Sequence, residues 1–156
     1  LASPKSLEGT PRWVPGTRPE VMRLDWPVLV NGESAECKLA ATAYLHFPEL
    51  RFTLTLNYRE HNIWRVDWEP ENRIETNPFS PGHRHSGETI VGPHCHPWDL
   101  NRGEATAAKI PDPLPWRRSL PRKVHGWENT FRWFLGEVNI EQPKLIPEPP
   151  KRSTLL

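Results

Sequence analysis

Proline placement limits this chain more than any other feature. Proline locks φ and has no backbone donor, so helix interiors and central strands exclude it. The 156 residues include 19 prolines, well above the usual share of about 5%. Many of them fall in three groups: Pro4, Pro11, Pro15 and Pro19 near the start, Pro111, Pro113, Pro115 and Pro121 in a connector, and Pro143, Pro147, Pro149 and Pro150 near the end. This distribution predicts a Pro-rich N-terminal arm over 1–19, one α+β domain over 20–140 and a Pro-rich C-terminal tail over 141–156.

Between the first two groups the pattern is that of strands. Val28-Leu29-Val30 runs into Asn31-Gly32, the dipeptide that best supplies the positive φ angles of a tight hairpin. The return strand carries Cys37, Leu39, Ala41, Ala43, Leu45 and Phe47 at period two. A third strand sets Phe52, Leu54, Leu56 and Tyr58 against Thr53, Thr55, Asn57 and Arg59, and after a turn at Glu60-His61 a fourth alternates Trp64, Val66 and Trp68 with Ile63, Arg65 and Asp67. Short connections make this an antiparallel meander. Thr89-Ile90-Val91 is a candidate fifth strand. Trp127, Phe131, Phe134, Leu135 and Val138 recur at helical spacing and predict a helix over 126–138. The expected fold is an antiparallel sheet of four to six strands with one C-terminal helix packed on one face. Trp64, Trp68, Trp127 and Trp133 fall in these periodic elements and read as core.

Composition excludes several classes. No stretch approaches the roughly 20 apolar residues that span a bilayer, and the two cysteines, Cys37 and Cys95, make no disulfide framework. A cytoplasmic protein with two reduced thiols is the expectation. The formal net charge of +1 projects no strong overall field. Locally, Lys109, Arg117, Arg118, Arg122 and Lys123 face one acid, Asp112, whereas Glu60, Asp67, Glu69, Glu71 and Glu75 outnumber Arg65 and Arg73. A dipolar surface is expected.

The chemistry concentrates between Gly82 and Asp99, which holds four of the seven histidines as two His-x-His pairs: His83 with His85, and His94 with His96. Alternate residues of an extended chain point the same way, so each pair can aim two imidazoles at one point. Such a pair suits a divalent transition metal, or shares acid and base roles. If Ser86-Gly87 is a tight turn, His85 faces Glu88 and the two pairs stay apart. If Ser86 to Pro93 is a loop, His85 faces His94 and His83 faces His96, so that all four converge. Gly92-Pro93 and the neighbouring glycines favour the loop. The spacing departs from the cupin signature, because Glu88 follows His85 too closely, and from structural zinc fingers. His46, His61 and His125 read as isolated polar residues.

These residues predict an enzyme acting on a phosphodiester, a small ribonuclease or a metal-dependent hydrolase. Two of His83, His85, His94 and His96 would transfer protons, and Arg84 or Arg102 would stabilise charge. Trp98, Trp116, Arg117 and Arg118 would contact RNA or another phosphodiester substrate. In the metal version, zinc, manganese or nickel sits on the histidines with Glu88 or Asp99 as a further ligand. The alternative is a non-catalytic interaction module that holds a protein partner through its Trp and Arg surface and Pro-rich arms.

Overall fold

A computed structural model describes residues 1–106 and 108–151. In chain order the elements are β1 (Lys5–Leu7), β2 (Val14–Pro15), β3 (Val21–Val30), β4 (Glu33–Tyr44), β5 (Arg51–Tyr58), β6 (His61–Trp68), β7 (Ile74–Thr76), β8 (Thr89–Val91), β9 (His94–His96), α1 (Trp98–Asn101), β10 (Arg118–Ser119) and α2 (Trp127–Glu137), with a 3-10 turn at Arg102–Glu104. The protein is mainly antiparallel sheet with few helices.

The backbone of the fold is the meander β3-β4-β5-β6, held in register by period-two burial. Asn31 and Gly32 both adopt positive φ and turn β3 into β4. The next tight turn lies at Arg59-Glu60, one residue earlier than expected, again with both residues at positive φ. Inward-facing Leu24, Trp26, Val28, Leu39, Ala41, Phe52, Leu54, Leu56, Trp64 and Val66 share one core with Trp127, Phe131, Phe134 and Leu135 of α2. The helix stripe and the sheet face bury each other because neither can be left against water. Trp127 meets Phe52 edge-on at 4.9 Å, and Phe134 meets Trp64 at 5.4 Å.

The sheet is larger than the four to six strands expected, having eight in the order β1-β3-β4-β5-β6-β9-β10 with β2 also on β3. Its additional strands are short, Pro-flanked segments at the two edges, where one side of the ladder needs no donor. Residues 1–19 therefore join the sheet: β1 pairs with Val28–Val30 and β2 with Met22 and Arg23. Past the helix, Ile146 is buried in the core and the Pro147 carbonyl accepts the Trp127 indole N–H at 3.1 Å. Thr89–Val91 is a strand as anticipated, but it pairs with β7 in a separate two-stranded sheet. A second helix, α1, has only four residues. Among the described residues no helix is long and apolar enough to cross a membrane.

What places the site is the pairing of β9 with β6, which skips the whole β7-β8 excursion: Arg65 faces His96, Val66 faces Cys95 and Asp67 faces His94. Cys95 enters the core with Val66. By alternation His94, His96, Arg65 and Asp67 share the opposite face, beside Thr53 of β5. On that face Asp67, His94 and His96 are buried, and the Leu114 carbonyl of the segment that follows α1 reaches His96. The Asn101 side chain, fully buried, pins this segment by donating to the carbonyls of Pro97 and Trp116 and accepting from the Trp116 N–H.

Candidate metal centre

Three side chains from two neighbouring strands meet on this face. Asp67 Oδ2 lies 3.5 Å from His94 Nε2 and 3.3 Å from His96 Nε2. The side chains of Asp67, His94 and His96 are 6%, 3% and 4% exposed. Among the described residues they form the one group of histidine, cysteine and carboxylate side chains with ligand atoms close enough to hold a metal ion.

The hydrogen bonds around the triad determine what its atoms can do. His94 Nδ1 lies 2.9 Å from the Gly92 carbonyl and His96 Nδ1 lies 2.6 Å from the Leu114 carbonyl. A carbonyl oxygen only accepts, so each Nδ1 carries a proton, and a ring in its neutral form turns an Nε2 lone pair inward. Asp67 is itself fully supplied with donors. Thr53 Oγ1 donates to Oδ1 at 3.0 Å, while Arg65 donates from Nη2 to Oδ1 at 2.8 Å and from Nε to Oδ2 at 2.8 Å. With both imidazoles neutral, acceptors would face an acceptor, a repulsive arrangement in a buried place. A cation between them removes the conflict.

Charge states follow the same geometry. Burial opposes ionisation of Asp67, but hydrogen bonds from His96 and Arg65 outweigh it and hold the carboxyl well below the usual range. The His96 part of that effect exists only for an imidazolium, since its Nδ1–H is already engaged; with neutral rings Arg65 carries it. Burial also depresses His94, more than the Gly92 carbonyl and Asp67 raise it. Cys95, on the core face between the two histidines, is pushed up to about 12 by burial.

Comparison with known proteins gives no match: no family model, no curated protein and no solved structure matches the chain.

Of the residues singled out by the histidine pattern, only His94 and His96 meet here. The four imidazoles do not converge, because His83 and His85 sit in the 77–88 loop between β7 and β8 rather than in a strand opposite β9. Pro81-Gly82 and Gly87, the two glycines at positive φ, turn this segment. His83 stacks on Trp116 with ring centroids 3.4 Å apart and planes 8° from parallel. His85 Nδ1 lies 2.6 Å from Glu88 Oε2, the neighbour given by the shorter of the two registers. Neither carboxylate expected as an extra ligand reaches the triad group: Glu88 is taken by His85, and Asp99 lies 3.9 Å from Arg118.

The expected contact surface is also redistributed. Trp116 is 2% exposed and its indole N–H donates to Glu104 at 2.9 Å. Arg117 donates to the Thr76 carbonyl and approaches Glu75, and Arg118 approaches Asp99 and Glu137. Trp98 packs partly buried against the core. Arg84 and Arg102 remain exposed.

Asp67, Arg65 and Thr53 were missed as site residues. In sequence Asp67 and Arg65 belong to a charged run that reads as surface, but that run is internally paired, Arg65 with Asp67 and Arg73 with Glu69 and Glu75. The available signal was their position: polar residues at period two in a central strand, whose non-core face needs a partner once it is buried.

Proposed function

We propose that this protein is a divalent-metal-dependent hydrolase of phosphodiester bonds, with Asp67, His94 and His96 as the metal ligands. The observation that carries the metal is the meeting of three acceptor atoms whose imidazole tautomers are set from behind by the Gly92 and Leu114 carbonyls. Ligating histidines characteristically donate their second N–H to a carbonyl or carboxylate. The two carboxylate–imidazole spacings, 3.5 and 3.3 Å, suit an ion about 2.0–2.2 Å from each donor, which holds tetrahedral donors about 3.3–3.6 Å apart. Two imidazoles and one carboxylate suit zinc, manganese or nickel.

Asp67, His94 and His96 would hold the ion through three ligands, and a divalent ion with an open position would supply an acidified water as nucleophile. Arg65 keeps Asp67 ionised and bound through Oδ2, because its Nη2 and Thr53 occupy Oδ1. Its guanidinium side chain is 31% exposed and so reaches the solvent edge of the site, where it can meet the charge on a phosphoryl oxygen.

Elemental analysis of the purified chain, followed by cleavage of a small activated phosphodiester with and without chelator, tests the reading. One metal ion per chain and cleavage abolished by chelator, then restored by zinc or manganese, are expected. A proton on one imidazole relieves the same acceptor conflict. A chain that takes up no metal when zinc or manganese is added, and whose cleavage ignores chelator, would therefore replace the metal by an imidazolium–carboxylate pair.

A further inference from the structure

We infer that the 77–88 loop binds single-stranded nucleic acid, with Phe79 as a stacking platform for one base and Arg84 as a phosphate contact. The inference rests on the phosphodiester reading of the Asp67 centre and names its substrate class.

Phe79 is 85% exposed, the most exposed large hydrophobic side chain described. It is held on an ordered loop. The Ser80 N–H donates to Ser86 Oγ at 2.8 Å, the His83 N–H to the Ser80 carbonyl, the Ser86 N–H to the His83 carbonyl and the Gly87 N–H to the Pro78 carbonyl. The His85 N–H donates to His83 Nδ1 at 3.1 Å. A loop backbone fixed by this much local bonding has lost much of its conformational freedom in advance of any contact, which favours binding through the ring it carries.

The charge of the loop selects the occupant. The one acid of residues 77–88, Glu88, is taken by His85, and Arg84 is exposed with no ion pair or hydrogen bond to any described residue. Arg117 and Arg118, by contrast, are paired with acids. A bare cation on the same loop as a bare aromatic ring fits a polyanion with accessible base faces, and an unpaired strand offers both at once.

The loop is also fastened to the segments that set the imidazoles. Asn77 donates to the Arg117 carbonyl and accepts the Arg117 N–H, each at 2.9 Å. His83 stacks on Trp116, two residues from the Leu114 carbonyl that bonds His96. At its other end β8 runs directly into Gly92, which bonds His94. A strand seated on Phe79 and Arg84 is thereby tied to the frame of the metal centre.

Fluorescence anisotropy of a labelled mixed-sequence oligonucleotide of about 12 nucleotides, read on the full chain with chelator present, tests this binding without turnover. Single-stranded RNA, single-stranded DNA and the matching duplex form three arms. Binding of one or both single strands in preference to duplex is expected. Phe79→Ala should weaken it about tenfold, and Arg84→Ala should lower the slope of log affinity against log salt by about 0.7. Preference for RNA over DNA would identify a 2′-hydroxyl contact within the same surface. Equal binding by wild type and both variants, or tighter binding of duplex, overturns the inference. So does self-association that Phe79→Ala abolishes, which would make the loop a contact between copies of this chain. Cleavage of a small phosphodiester without oligonucleotide binding removes the surface and keeps the hydrolase; oligonucleotide binding with no metal uptake does the reverse.

Discussion

At the scale of residues, the metal centre depends on donors that never touch the metal. Thr53 is buried and its hydroxyl fills Asp67 Oδ1, so Thr53→Val leaves that oxygen short of a donor while keeping the shape of the side chain. Loss of such a supporting bond typically costs about 10–100-fold in metal affinity, and a zinc titration of Thr53→Val should show a weakening in that range with one ion still bound at saturation. Asp67→Asn removes the charged ligand itself and should bind no stoichiometric metal. His94 adds a pH dependence. Burial holds its folded pKa below the ordinary histidine value, so as pH falls the unfolded chain takes the proton first and stability declines from about pH 6.5 downward. Urea midpoints of the metal-free chain should drop between about pH 7.5 and 5, and His94→Gln should flatten that part of the drop. An unchanged profile in the variant would mean that His94 is not the group responsible.

At the scale of elements, the two faces of the sheet have separate duties. Phe134 is fully buried between α2 and Trp64, so Phe134→Ala opens a cavity with nothing available to fill it. The expected loss is about 3–5 kcal/mol in denaturant unfolding, with metal stoichiometry of the folded chain retained, because the triad lies on the other face. The helix and meander were legible in sequence because their signals are local. The Asn31-Gly32 turn, the Phe52-Leu54-Leu56 alternation and the aromatic stripe of α2 each lie within one element. The β6-β9 pairing is not local: between Asp67 and its partner His94 the chain makes the β7-β8 hairpin and its loop, and no residue in either strand announces the other. The His94-x-His96 geometry was readable from alternation alone. Its carboxylate partner was not, since Asp67 on a polar strand face reads as solvated, whereas in the fold it is buried beside the two histidines. His83-x-His85 misled for the opposite reason, its extended pattern being overridden by Pro81-Gly82 and Gly87.

At the scale of the molecule, one three-residue strand joins the two halves of the argument. β9 sits between β6 and β10, sends Cys95 into the core and sends both histidines into the metal centre. Folding of the core is thus what assembles the ligands, and by linkage metal binding must stabilise the core. Because Asp67 lies 27 residues before His94 in the sequence, the unfolded chain does not hold the three ligands together and its metal affinity stays low. At free zinc 100 times its dissociation constant the folded state should gain about 2.7 kcal/mol over the metal-free chain, any binding to the unfolded state reducing that figure. Paired urea denaturations of the wild type, in chelator and in zinc, measure the gain, with Asp67→Asn as the control in which it should vanish. A gain that survives intact in Asp67→Asn would place the ion elsewhere on the molecule, and the role given to β9 would go with it.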